Sequence, residues 1–163
     1  MKTQNKLKVT LRDLEIEMTR EFDAPRDLVW KACTQAEHIP QWWGSRQDQT
    51  LVHELDFRLG GAWRFECISP DGQSYVFNGE YLEITAPERL VNTFGIEGMF
   101  DGKSLIESYH FEDLGGRTRI TTITRFESNA DRDGMAATGM EAGAAESYQR
   151  LEALLESLMN QPA

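Results

Sequence analysis

The sequence predicts an α+β domain. A curved antiparallel sheet wraps around one long C-terminal helix, and two short helices follow the first strand. Three observations carry this. Six segments between residues 49 and 126 are patterned as strands, with turn signals and no convincing helix between them. Residues 131–159 repeat apolar side chains at helical spacing. Short connections require antiparallel pairing, and a sheet with one apolar face must be covered, which falls to the long helix.

Taken in order, residues 1–12 are polar and make a loose lead-in or a short edge strand. Ile16, Met18 and Phe22 alternate with Glu15, Glu17 and Glu21, the signature of a half-buried strand over 15–22. Ala24-Pro25 breaks it, and proline suits a first helical turn. A helix is expected over 27–33, and a second short helix or turn over 35–43, interrupted by Pro40 and stopped by Gly44. Strands are expected at 49–57, 62–68, 74–84, 89–96, 104–111 and 117–126. Gly60-Gly61, Pro70-Asp71-Gly72 and Gly115-Gly116 mark turns between them. The C-terminal helix divides into a piece ending near Ala137, a kink at Gly139 and one long helix through Leu151, Leu154, Leu155 and Leu158. The organisation is a lead-in over 1–13, one domain over 14–159 and a tail over 160–163.

The 163 residues carry 27 acidic and 17 basic side chains, a formal charge of -10. A nucleic-acid backbone would be repelled by most of such a surface. Basic residues near the N-terminus are not followed by the apolar run of a secretory signal. No stretch has membrane-spanning length, so no membrane insertion is expected. Cys33 and Cys67 lie far apart and are read as free thiols in a reducing cytoplasm. His38, His53 and His110 lack metal-ligand spacing, and neither a Gly-x-Ser-x-Gly elbow nor a phosphate loop is present. No metal, cofactor or catalytic residue is therefore assigned. Glu141, Glu146, Glu152 and Glu156 read as a solvated helix face.

The buried side of the long helix is uneven. Ala136, Gly139, Gly143 and Ala144 are small, whereas the later positions are leucines. The small residues either pack closely on the sheet or roof a space above it. Trp63, Phe65 and Cys67 share one strand face, Leu90, Phe94 and Ile96 another, and Leu105, Tyr109 and Phe111 a third. Arg20, Asn92 and Glu107 fall in phase with inward-facing residues. Each is paired in the core, turned outward by a local register change, or the polar end of an apolar site. Adjacent Trp42 and Trp43 should not both enter one core, so one packs while the other lines a pocket mouth or a partner surface.

The run Thr19-Arg20-Glu21-Phe22-Asp23-Ala24-Pro25, then Val29-Trp30-Lys31-Ala32 and Gln41-Trp42-Trp43-Gly44, resembles the opening of the activator of heat-shock protein 90 ATPase homologue family. The likeness continues through residues 56–61, 79–84 with Pro87, and Gly139-Met140-Glu141-Ala142-Gly143 to Arg150-Leu151, covering about residues 14–158. That family is part of the START-like, or SRPBCC, superfamily. The resemblance implies a helix-grip fold with a pocket between the long helix and the sheet. Superfamily relatives bind lipids, sterols or polyketides, and some cyclise polyketides. The family's name comes from eukaryotic co-chaperones with a further N-terminal domain. Only a dozen residues precede the first strand here, so no stimulation of a heat-shock protein 90 ATPase is expected.

Together these readings favour a binding module for a small hydrophobic or amphipathic ligand over an enzyme. The alternatives are a polyketide cyclase-like or hydrolase-like enzyme and a co-chaperone-like interaction domain. A homodimer is left open. A cavity of roughly 300–1,000 Å³ is expected. Its ligand-binding residues would be Arg20, Trp43, Trp63, Phe65, Asn92, Phe94, Glu107, Tyr109, Met140, Gly143 and Ala144.

Overall fold

The computed structural model describes residues 5–45, 47–98 and 104–161. Eight strands form one antiparallel sheet: β1 (Lys8–Arg12), β2 (Glu15–Phe22), β3 (Gln49–Leu55), β4 (Ala62–Ile68), β5 (Ser74–Thr85), β6 (Arg89–Ile96), β7 (Leu105–Asp113) and β8 (Thr118–Arg125). Their order across the sheet is β1-β2-β8-β7-β6-β5-β4-β3. The expected pairing of the 15–22 strand with the last strand is present, with Ile16 opposite Thr124 and Phe22 opposite Thr118. Of the two readings of the lead-in, the edge strand is the one observed, since β1 pairs along β2 from Lys8–Thr19 to Arg12–Glu15.

Between β2 and β3 the chain forms α1 (Arg26–Thr34) and a single 3-10 turn (Ile39–Gln41). Pro40 sits inside that turn, where its lack of an N–H costs little. The C-terminal segment forms α2 (Asn129–Ala136) and α3 (Met140–Met159). Ser128 caps α2 by accepting from the Asp131 N–H. Gly139 adopts φ +85°, a left-handed conformation that suits glycine, so the expected kink is a full break between two helices.

α3 covers the inward face of the sheet, giving the helix-grip arrangement. Leu151 and Leu155 are fully buried and pack with Phe22, Val29, Phe111 and Ile120 in the larger core. A smaller cluster of Ile16, Met18, Leu105, Phe126 and Met135 lies toward the start of α3, against Met140 and Ala144. The alternation read from the sequence holds on the strands that matter for a site. Trp63, Phe65 and Cys67 on β4, Leu90 and Asn92 on β6, and Glu107 and Phe111 on β7 are all buried.

Candidate functional site

A small cavity of about 50 Å³ lies within the larger core. Cys33 of α1, Ile39, Trp42, Trp43 and Tyr148 of α3 line it from above. Trp63, Phe65, Tyr81, Leu90, Asn92, Glu107, Tyr109, Phe111 and Ile120 line it from the sheet. At roughly 10–15 Å³ per water, it has room for a few water molecules or a short aliphatic chain. The expected 300–1,000 Å³ is thus corrected downward, for a reason of ring packing. Trp43 inserts among the sheet aromatics in T-shaped contacts, with its ring 5.3 Å from Phe65 and 4.8 Å from Phe77. Trp63 lies 4.9 Å from Phe65. Trp42 stacks on Tyr148 at 6.2 Å. Aromatic rings occupy the space that the small helix residues were expected to leave.

Both tryptophans of the 42–43 pair line the cavity, Trp42 as a buried core residue and Trp43 half-buried. The 3-10 turn ends at Trp42, whose φ of -136° leaves the helical path, and the two rings find different partners, Tyr148 for Trp42 and Phe65 and Phe77 for Trp43. Trp42 Nε1 donates to the Ala32 carbonyl at 2.8 Å, and the Trp43 carbonyl accepts from the Thr50 hydroxyl.

Six of the eleven expected site residues line the cavity: Trp43, Trp63, Phe65, Asn92, Glu107 and Tyr109. The other five lie elsewhere. Phe94 packs against Phe77, 5.7 Å between rings. Met140 and Ala144 sit on the smaller core cluster. Gly143 faces the loop after Trp43, where a Cβ would meet the Ser45 hydroxyl at 3.5 Å. The roof therefore lies farther along α3 than expected, at Tyr148. Arg20 is in a buried ion pair: its Nη1 donates to Glu152 Oε1 at 2.9 Å, and its guanidinium lies 4.5 Å above the Phe22 ring. Glu152 is consequently not on a solvated face. It also accepts from Asn5 Nδ2 at 3.1 Å and from the Asp23 N–H at 3.3 Å.

The polar end of the cavity is built across β6 and β7, where Asn92 and Glu107 are directly opposite. Asn92 Nδ2 donates to Glu107 Oε1 at 3.3 Å and to the Thr93 carbonyl at 2.9 Å. The Tyr109 hydroxyl donates to the same Glu107 oxygen at 3.0 Å. Among the described residues no basic side chain pairs with Glu107, and Oε2 has no hydrogen-bond donor. Burial pushes its carboxyl up from an ordinary value of 4.5 to about 7, and the two neutral donors only partly oppose this. Burial also raises the Tyr109, Tyr148, Tyr81 and Cys33 groups, which stay neutral around it. The Tyr148 and Thr122 hydroxyls are 3.3 Å apart. Trp63 Nε1 is buried and has no partner among the described residues. It crosses β5 at Gly79, where any Cβ would lie 2.5 Å from it, so this approach requires glycine.

Sequence reasoning missed Cys33, Ile39, Trp42, Tyr81, Leu90, Phe111, Ile120 and Tyr148 as lining residues. Tyr148 had a signal, since it follows Ala144 by one helical turn on the buried stripe. Tyr81 had none, because the register between β5 and β6 shifts between Tyr81 and Glu83. Among the described residues no group of three His, Cys, Asp or Glu side chains converges as a metal site. None of their helices is long and apolar enough to cross a membrane.

Solved structures share this architecture. The chain resembles a protein from Arthrobacter aurescens, determined by solution NMR, at 27% identity and a TM-score of 0.85, covering 92% of this chain and 91% of that one. A crystal structure from Rhodobacter sphaeroides is similar at 21% identity and a TM-score of 0.86, covering 93% and 99%. DynU16, a protein in the dynemicin biosynthetic locus, shares the fold at 20% identity and a TM-score of 0.68, over 89% of this chain and 48% of DynU16. No curated protein matches the chain. Residues 23–156 match the family described as Activator of Hsp90 ATPase homolog 1-like protein. Fold, strand order and this match agree, and the chain belongs to the Activator of Hsp90 ATPase homolog 1-like family.

Proposed function

We propose that the protein binds a small amphipathic molecule in the cavity under Tyr148, with its apolar body against the tryptophans and its polar head at Glu107. One observation carries this reading: a buried carboxyl with no counter-charge among the described residues lines an aromatic-walled space. An unpaired buried charge is costly, and such groups persist where they are used. At about 50 Å³ the cavity accepts a head and a few carbons. A larger ligand needs Trp43 to swing outward, and Trp43 is the half-buried member of the tryptophan pair. The ligand would be met in the cytoplasm, with no further cofactor.

A second reading rests on the same carboxyl. A group titrating near pH 7 is suited to give or take a proton, so a cyclase-like or hydrolase-like reaction would use Glu107. Binding requires less of the site and is preferred.

n-Butanol is a suitable neutral probe, and the indole N–H signals of Trp42, Trp43 and Trp63 report on it by NMR. Saturable shifts confined to these indoles are expected, with the Trp30 signal moving least. No saturable shift at millimolar butanol, together with no small molecule retained in native mass spectrometry of protein purified from its own source, would overturn the reading.

A further inference from the structure

We infer that the head bound at Glu107 is a small organic cation, a protonated amine on a short apolar body. This rests on the binding reading above and names its ligand class.

Among the described residues, Glu107 has donors on one carboxyl oxygen only. Asn92 and Tyr109 both donate to Oε1, and Oε2 has no donor among the described residues, in a side chain that lines the cavity. A neutral donor would satisfy that oxygen but leave the ionised carboxylate uncompensated. An anionic head would be repelled. An ammonium group supplies both the hydrogen bond and the charge.

The walls fit the same class. Trp42, Trp43, Trp63, Tyr81 and Tyr148 present aromatic rings to the space, and ring faces attract cations. The molecule already contains this arrangement once. At Glu152 a buried carboxylate is met by the Arg20 cation, which lies over the Phe22 ring. At Glu107 the carboxylate and the rings are present and the cation is not. The formal charge of -10 favours the approach of cations as well.

The groups facing Glu107 keep its titration simple. Tyr109 of β7, Tyr148 of α3, Tyr81 of β5 and Cys33 of α1 are all raised by burial and remain neutral through the physiological range. Asn92 of β6 and Thr124 of β8, the cross-strand neighbours of Glu107, do not ionise. The cation Arg20 is held by Glu152. An amine ligand must bind the ionised carboxylate, so affinity rises with pH until Glu107 is deprotonated.

The test compares n-butylammonium with n-butanol on the full chain, by calorimetry and the indole signals, between pH 5 and pH 8. Butylammonium is expected to bind at least tenfold more tightly than butanol at pH 8. Its affinity should increase about 100-fold from pH 5 to pH 8, as a group titrating near 7 becomes ionised, while butanol stays level. In Glu107→Gln, which keeps the shape and a hydrogen-bonding head, butylammonium should lose both its preference over butanol and its pH dependence. Butanol binding as well as or better than butylammonium at pH 8 would overturn the cation assignment and leave the cavity reading intact. If neither probe binds, both fail. An ammonium preference that survives in Glu107→Gln would place the cation elsewhere and sink this proposal alone.

Discussion

Two glutamates on the inner side of this molecule are buried to the same degree, Glu152 at 8% and Glu107 at 9% exposure, and they are treated in opposite ways. Glu152 reaches from α3 to β2 and is met by Arg20, Asn5 and a backbone N–H. Every strong donor there belongs to the chain itself, and the result is a clamp holding helix to sheet. Glu107 has two neutral donors on one oxygen and an open second oxygen. Burial alone therefore does not mark a site. The difference lies in whether the fold completes the charge.

Breaking the clamp should produce the largest effect. Arg20→Met leaves Glu152 buried without its cation and should cost about 3–5 kcal/mol in urea unfolding. Adding Glu152→Leu removes the stranded charge, and the double variant should recover most of the loss. If the single variant is near neutral, the clamp is not structural and the contrast with Glu107 disappears.

The next effect is in the pH dependence of stability. Glu107 holds its proton more tightly when folded than when unfolded, so the unfolded chain ionises first as pH rises. Its contribution is fully present below about pH 4.5, is lost between about pH 4.5 and 7, and then stays lost. Relative to Glu107→Gln, the parent protein should lose about 3 kcal/mol across that window. Parallel stability curves for the two proteins would mean the carboxyl is already compensated.

Removing a donor sharpens the same point. Asn92→Ala takes away one of the two hydrogen bonds that favour ionisation, so the Glu107 midpoint should move further upward, with a stability loss of about 1 kcal/mol at pH 8. A downward movement would show that water replaces the amide better than it was replaced. The smallest effect is expected at Gly143, which lies on α3 but away from the cavity. Gly143→Ala places a Cβ in ordinary contact with Ser45 and should stabilise the helix by up to about 1 kcal/mol without altering butanol binding. A change in binding would return Gly143 to the cavity roof.

Much of the sheet was legible because alternation is local. Arg20, Asn92 and Glu107 were placed on inward faces from their neighbours alone, and the β2–β8 pairing followed from covering two one-sided strands. Their partners were not legible. Glu152 is far from Arg20 in sequence and looked like one member of a charged helix face, since Glu141 and Glu156 on the same helix are exposed. Asn92 and Glu107 required the β6–β7 register, which depends on a connection that includes residues 99–103, outside the described residues. Cavity size was the least readable quantity. Small residues at 139–144 suggested space, but space depends on where rings rotate, and Trp43 fills it from a loop. The turn at Trp42 that sends both indoles inward is set by a backbone angle that no local pattern announces.

The carboxyl carbon of Glu107, followed by ¹³C NMR from pH 4 to pH 9, tests most directly whether the fold leaves this charge uncompensated. A midpoint at about 7 is predicted for the free protein, shifting downward when butylammonium is added. A midpoint near the ordinary value of 4.5, unmoved by the amine, would contradict it and remove the reason to look for a ligand there.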